Sequence, residues 1–249
     1  GLPYPCLLSH VGELTISGYR RPCSYYHEIV LGKRKAPYIA VQRPEHHDGL
    51  NIETPWSWTD SVGSWSWFGY EGKPVRVEVY SDAEEVELQV NGRSVGRQNV
   101  GENNRFRACF ETTFEHGKIT AIAYRNGVED GRFSLHSAHG EAKLLASPEM
   151  DSCSLSNRDL IYIPIAAADE SGEVFVENKA KIKAVIQGPA EQLGFGTDEP
   201  LPIENFCEDS RTLYDGRALL VLRPIGEGNV HVLLVGDGMQ TEVCIPVTK

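Results

Sequence analysis

The sequence predicts an all-β protein, two β-sandwiches in tandem behind a single helix, and three observations carry that prediction. From Tyr38 to the end the apolar residues recur with period two or in short runs of strand length. Asn91-Gly92 and Asn126-Gly127 sit between such runs, and Asn-Gly is the dipeptide that tight hairpins need because both residues tolerate positive φ. All four tryptophans, Trp56, Trp58, Trp65 and Trp67, fall in one stretch that leads directly into the alternating segment P-V-R-V-E-V-Y. Indole is the side chain that buries most area against another surface or stacks on a sugar ring.

In chain order, residues 17–32 (S-G-Y-R-R-P-C-S-Y-Y-H-E-I-V-L-G) read as the helix. Pro22 suits the first turn, Tyr26, Ile29 and Val30 recur at helical spacing, and Gly32 is placed to cap the end. One helix cannot bury its own apolar stripe, and the stretch before it, G-L-P-Y-P-C-L-L-S-H, is broken by proline and has no period. Its partners are either the β-domains that follow or a body lying outside this sequence, and the unpatterned stretch before the helix favours the second. The strands Y-I-A-V-Q, P-V-R-V-E-V-Y, E-V-E-L-Q-V, F-R-A-C-F-E-T and K-I-T-A-I-A-Y then build a first sandwich over about residues 36–138. A small, polar segment, S-A-H-G-E-A-K, separates it from a second set of more continuously apolar runs: A-K-L-L-A, L-I-Y-I-P-I-A-A-A, K-I-K-A-V-I-Q, A-L-L-V-L-R-P, V-H-V-L-L-V and E-V-C-I-P-V. These form a second sandwich over about 141–249, so the chain divides as 1–35, 36–138 and 141–249.

The 249 residues are enough for about two cores at ~150 residues each. Residues 1–50 carry a formal charge of +2 and the rest −13, for a net −11. An acidic surface repels phosphate backbones, which argues against a nucleic-acid partner. No apolar run approaches the ~20 residues of a membrane span. Six scattered cysteines, with no C-x-x-C, read as free thiols rather than a disulfide framework. A missing Asn-x-Ser/Thr site is compatible with a cytoplasmic protein, and the chain opens with no basic-then-apolar leader.

Each motif that could carry chemistry has a plainer reading. Glu84, Glu85 and Glu87 lie on a turn and strand whose solvent face wants charge, and Glu13, Glu28 and Glu53 have no second carboxylate placed by a motif. G-R-S-V-G (92–96) matches the nucleophile pattern G-x-S-x-G by letter, but an elbow needs strand then helix, and here Asn91-Gly92 turns one strand into the next, with Ser94 on the strand that follows. His46-His47-Asp48 lacks further ligands at metal-site spacing. Gly194 and Gly196 read as turn glycines, with no lysine and hydroxyl following as a phosphate loop requires. No metal and no organic cofactor is expected. Trp65 and Trp67, two apart in an entering strand, share a face and are expected to pack against a core or a neighbouring domain. Trp56 and Trp58 lie in a loop-like stretch able to reach a domain contact or a sugar-facing edge, where Asp60 or Glu71 could accept hydrogen bonds from hydroxyls.

Three segments resemble one known family. G-E-L-T-I-S-G-Y-R-R-P-C-S-Y-Y-H-E-I-V-L-G (12–32) is similar to the end of the catalytic barrel in glycoside hydrolase family 2 enzymes of the bacterial β-galactosidase type. S-W-S-W-F-G-Y-E-G-K-P-V-R-V-E-V-Y-S-D-A-E-E-V-E-L-Q-V-N-G-R-S-V-G (64–96) resembles the start of the immunoglobulin-like domain that follows the barrel. L-G-F-G-T-D-E-P-L-P-I-E-N-F and Y-D-G-R-A-L-L-V-L-R resemble the signature of a further immunoglobulin-like domain in such enzymes.

The resemblance implies two tandem immunoglobulin-like β-sandwiches preceded by a short helical remnant of a (β/α)8 barrel. It also implies retaining hydrolysis by two barrel glutamates about 5–5.5 Å apart, both lying upstream, so no position here inherits a catalytic role. The implied partners are the barrel of the same polypeptide, the carbohydrate substrate of the complete enzyme and a second copy in a homo-oligomer. A stand-alone carbohydrate-binding sandwich with a tryptophan platform is the alternative from another class. A tandem adhesion module is a third, opposed by the helix.

Overall fold

The computed structural model describes residues 11–47 and 59–249. The chain separates into two compact units, one spanning His10–Ser137 and the other containing Ala138–Lys249. Both are built from β-strands, and among the described residues there is one α-helix, α1 (Pro22–Val30).

The helix is shorter than its sequence pattern because proline fixes its start. Pro22 takes the first turn, where its missing N–H would be unsatisfied anyway. Before it, residues 13–21 fold into a tight turn held by Thr15 N–H to Tyr19 O at 2.8 Å and Arg21 N–H to Glu13 O at 2.9 Å. At the other end Gly32 adopts φ +66°. Its N–H reaches Ile29 O at 2.9 Å while Lys33 N–H reaches Glu28 O at 2.7 Å, the paired closure of a Schellman cap. The expectation that the stripe waits for an outside body is corrected in part. Ile29 is buried against Tyr38, Ala40 and Tyr80 of the first unit, with Tyr25, Tyr26, Phe106 and Phe133 around them. Val30 and Leu31 remain exposed.

In the first unit β1 (Tyr38–Val41), β2 (Pro74–Tyr80), β3 (Glu85–Val90), β4 (Arg93–Asn99), β5 (Arg107–Thr113), β6 (Lys118–Arg125) and β7 (Val128–His136) form two antiparallel sheets. Their orders are β1-β2-β5 and β4-β3-β6-β7. Alternation explains the core: Val75, Val77 and Val79 of β2 and Val86, Leu88 and Val90 of β3 are all buried. The smaller sheet is covered on both faces. Tyr38 pairs with Tyr80 and Ala40 with Glu78 across β1 and β2, so these four residues share the face that α1 covers. Strand β7, polar along most of its length, was not legible as a strand.

The second unit contains β8 (Lys143–Ala146), β9 (Cys153–Ser154), β10 (Ile161–Ala168), β11 (Lys181–Gln187), β12 (Ala190–Gly196), β13 (Ser210–Thr212), β14 (Arg217–Pro224), β15 (Gly228–Gly236) and β16 (Met239–Thr248). Their sheet orders are β12-β14-β10-β8 and β13-β11-β15-β16-β9. The core between them is aliphatic, with Ile163, Ile165, Ile182, Phe195, Leu220, Leu222, Val232 and Leu234 buried. Gly194 and Gly196, expected in a turn, instead belong to β12. The register slips between Gln192 and Gly194, a bulge that absorbs one residue. A Cβ at Gly196 would come within 2.8 Å of the Phe206 ring.

Candidate functional site

The tryptophan-rich segment was the strongest pointer to function, and the structure describes its part from Thr59 onward. Trp56 and Trp58 lie outside the described residues, as does Asp48. Trp65 and Trp67 are 0% exposed. The Trp65 indole donates to Glu115 O at 2.9 Å and meets the Phe114 ring edge-on at 5.0 Å between centroids. Both rings are thus inside the first unit and present no face to a ligand. The Trp67 indole nitrogen is buried with no hydrogen-bond partner.

Beside this segment the covered face of β2 carries a buried carboxylate. Glu78 is 2% exposed. It accepts hydrogen bonds from Thr59 Oγ1 at 2.7 Å, Ser61 Oγ at 2.9 Å and the Tyr80 hydroxyl at 2.8 Å. The Arg107 guanidinium lies 3.1 Å away. Burial first, and the Glu78 charge second, push the Tyr80 hydroxyl well above its ordinary range, so it stays a donor. Thr59 and Ser61 follow Trp58 in the sequence, and Glu78 pins them to β2.

The other side of the stretch is tied by histidines. His46 Nδ1 lies 2.7 Å from Asp60 Oδ2, and His47 Nε2 lies 3.0 Å from Glu111 Oε2. Arg76 Nε donates to the other Glu111 oxygen at 2.8 Å. Burial would raise the Glu111 carboxyl, but the bonds from Arg76 and His47 outweigh it and hold it below the usual range. The two histidines therefore point to different carboxylates. Among the described residues no three His, Cys, Asp or Glu side chains are grouped to hold a metal ion. Asp60 is engaged by His46, and Glu71 receives the Gly69 N–H and contacts His116 Nε2 at 2.7 Å.

The remaining motifs resolve into structure. Ser94 lies on β4 inside an antiparallel hairpin, with no α-helix after it. In the second unit the segment 193–206 wraps a buried arginine: Arg211, 1% exposed, donates to Phe195 O at 2.8 Å and Glu204 O at 3.0 Å, and stacks 4.9 Å from the Phe206 ring centroid. Glu204 in turn receives Thr212 N–H and Oγ1, both at 2.9 Å. Asp215 and Gly216 take φ +52° and +67°, the left-handed pair that the Y-D-G-R turn requires. Sequence reasoning missed Glu78, Arg107 and Arg211. For Arg211 the available signal was a charge two residues before the apolar Leu213, whereas Glu78 and Arg107 stand at polar positions of alternating strands.

Comparison with known proteins agrees with the motifs. Residues 144–244 match the glycoside hydrolase family 2 C-terminal domain 5, and residues 72–129 match a domain of unknown function, DUF4982. The chain is 23% identical over 239 residues to the beta-galactosidase BoGH2A of Bacteroides ovatus, covering 94% of this chain and 27% of that protein. A crystal structure of a glycosyl hydrolase family 2 member from Bacteroides cellulosilyticus superposes with a TM-score of 0.85 at 32% identity, over 96% of this chain and 32% of that one. The fold is also that of a beta-glycosidase from Bacteroides vulgatus, with a TM-score of 0.74 at 18% identity, covering 98% of this chain and 29% of that one. The chain thus spans about 30% of the length of these relatives.

Proposed function

We infer, from a chain that matches the C-terminal region of glycoside hydrolase family 2 over nearly its whole length, that it is the supporting part of a longer retaining β-galactosidase-type enzyme. It braces a catalytic barrel of the same polypeptide and carries no reacting group itself. The complete enzyme would hydrolyse a terminal β-galactoside or a related β-glycoside. Trp56 and Trp58 serve as the domain contact or the sugar-facing edge.

The observation that carries this reading is the apolar surface left open around α1. Leu14, Ile16 and Leu31 are 57%, 58% and 69% exposed, and Val11 and Val30 are also open, although Ile29 next to them is fully covered. So many large apolar side chains in one short segment mark a surface made for contact. The buried Glu78 supports the same reading from the other side, since a carboxylate that accepts three hydrogen bonds and faces the Arg107 guanidinium is engaged in structure.

The test compares the 249-residue chain with the complete polypeptide. The chain alone should release no nitrophenol from 4-nitrophenyl β-D-galactopyranoside and should give no saturable heat with galactosyl oligosaccharides. In the complete polypeptide, Leu14→Asp with Leu31→Asp should lower the melting temperature by at least about 3 °C, while leaving the isolated chain unchanged. Hydrolysis or saturable sugar binding by the isolated chain would refute the supporting role. An unchanged melting temperature in the complete polypeptide would refute the contact.

A further inference from the structure

We propose that Cys244, His231 and Glu242 form a thiol-exchange site on the open face of the second sandwich, whose substrates are small soluble disulfides. This inference does not depend on the hydrolase reading.

The site is built by one hairpin. Strands β15 and β16 turn at Asp237-Gly238, with φ +51° and +75°, and the register that follows sets His231 directly opposite Cys244. Val230, Val232 and Ile245 on these strands point into the core, so alternation sends His231, Glu242 and Cys244 to the solvent face. Cys244 Sγ lies 3.8 Å from His231 Nε2, and His231 Nδ1 lies 3.5 Å from Glu242 Oε1. The imidazole therefore sits between a thiol and a carboxylate with one nitrogen toward each. A carboxylate at Nδ1 favours the tautomer with its proton there, which leaves the Nε2 lone pair facing sulfur. Nucleophile, base and orienting group in that sequence are the general arrangement for activating a weak nucleophile.

No other described thiol is set this way. Cys153 is buried. Cys23 gives its hydrogen to Gly12 O at 2.9 Å, and burial raises its thiol further. Burial raises Cys109 as well, against the pull of Arg107 beside it. Cys207 is exposed but has no imidazole against it. Around the site, β11 places the neutral Gln187 opposite His231. Farther along that strand Lys183 is paired with Asp209 at 3.1 Å. The carboxylate facing the imidazole is Glu242.

In the reaction, His231 takes the Cys244 proton and the thiolate attacks one sulfur of the disulfide. A new sulfur–sulfur bond forms to Cys244 as the reagent's own bond breaks, and the departing half leaves as a thiolate that can receive the proton from His231. The disulfide is the only oxidant consumed. An open sheet face has no pocket to select a large partner, so the site suits compact reagents.

The experiment treats the chain with glutathione disulfide at pH 7 and follows each cysteine by peptide mass spectrometry. Cys244 should react at least about tenfold faster than the exposed Cys207. Its pH–rate curve should rise at lower pH than that of Cys207. His231→Gln should bring both the rate and the curve to those of Cys207, and Glu242→Gln should lie between. All three residues are exposed, so far-ultraviolet dichroism and melting should be unchanged in the variants. Equal rates for Cys244 and Cys207 in the native chain, or a Cys244 rate indifferent to His231→Gln, would overturn the proposal.

Discussion

Glu78 receives Thr59, Ser61 and Tyr80 and faces Arg107, so the effect of changing it is set by what its partners lose. Glu78→Gln keeps the shape but replaces one acceptor oxygen with a donor and leaves a half-buried guanidinium without its counter-charge. Breaking one side of a buried ion pair typically costs about 3 kcal/mol, more than the pair itself contributes over an apolar substitute. The expected outcome is a loss of about 3 kcal/mol in urea unfolding, read from the emission of the buried Trp65 and Trp67. A change below about 1 kcal/mol would show that the network is worth no more than a surface ion pair. This residue was hidden in the sequence because P-V-R-V-E-V-Y alternates as a one-sided strand should, with Glu78 on the side that faces solvent. The helix and the residues after Trp58 cover that side, and no period within the strand encodes a cover brought from elsewhere.

Hairpins were the most legible elements, because their determinants are local. Asn91 and Gly92 take φ +49° and +78°, as an Asn-Gly turn requires. Asn91 does more than turn: its Nδ2 donates to His116 O at 2.9 Å and its Oδ1 accepts Lys118 N–H at 2.8 Å. Asn91→Ala removes both bonds and sets at positive φ a residue that tolerates it less well than asparagine, so it should lower the stability of the first unit by about 1–2 kcal/mol. Asn91→Gly, which restores the backbone freedom alone, should recover less than half of that loss in the same urea titration. Full recovery of native stability by Asn91→Gly would assign the whole effect to φ, and equal stability of the two variants would assign it to the hydrogen bonds. Asp237-Gly238 carried the same turn signal, and counting outward from it would have paired His231 with Cys244 before any coordinates existed. The helix was legible in its proline start and glycine stop, but its partner was not. Periodicity shows that Ile29 needs a cover and is silent on whether Tyr38 and Tyr80 supply it. Strand β12 was lost to its glycines, because a bulged strand and a turn draw on the same residue type.

At the scale of the whole chain, the two units can be interrogated separately because all four tryptophans belong to the first. Asp169 belongs to the second and is 1% exposed. Burial acts to raise its carboxyl, but hydrogen bonds from Ser171 Oγ, His139 N–H, Glu173 N–H and Ser171 N–H prevail and hold it at about 2 against an ordinary 3.8. Those bonds run 2.7–3.0 Å, and His139 Nδ1 lies 2.8 Å from the same group. A carboxylate lowered on folding contributes stability that is fully present above the unfolded value and lost as pH falls through the folded one. Here that window runs from about pH 4 down to about pH 2, and the contribution at neutral pH is about 2 kcal/mol. Asp169→Asn should therefore shift the unfolding of the second unit at pH 7, followed by amide exchange of β10 and β14. The gap between variant and native should narrow below pH 4 and close near pH 2. Tryptophan emission should not move, because each unit buries its own core and the carboxylate serves only one. A parallel shift in emission would mean that the units unfold as one body, and a gap persisting at pH 2 would mean that the shape of the Asp169 turn matters rather than its charge.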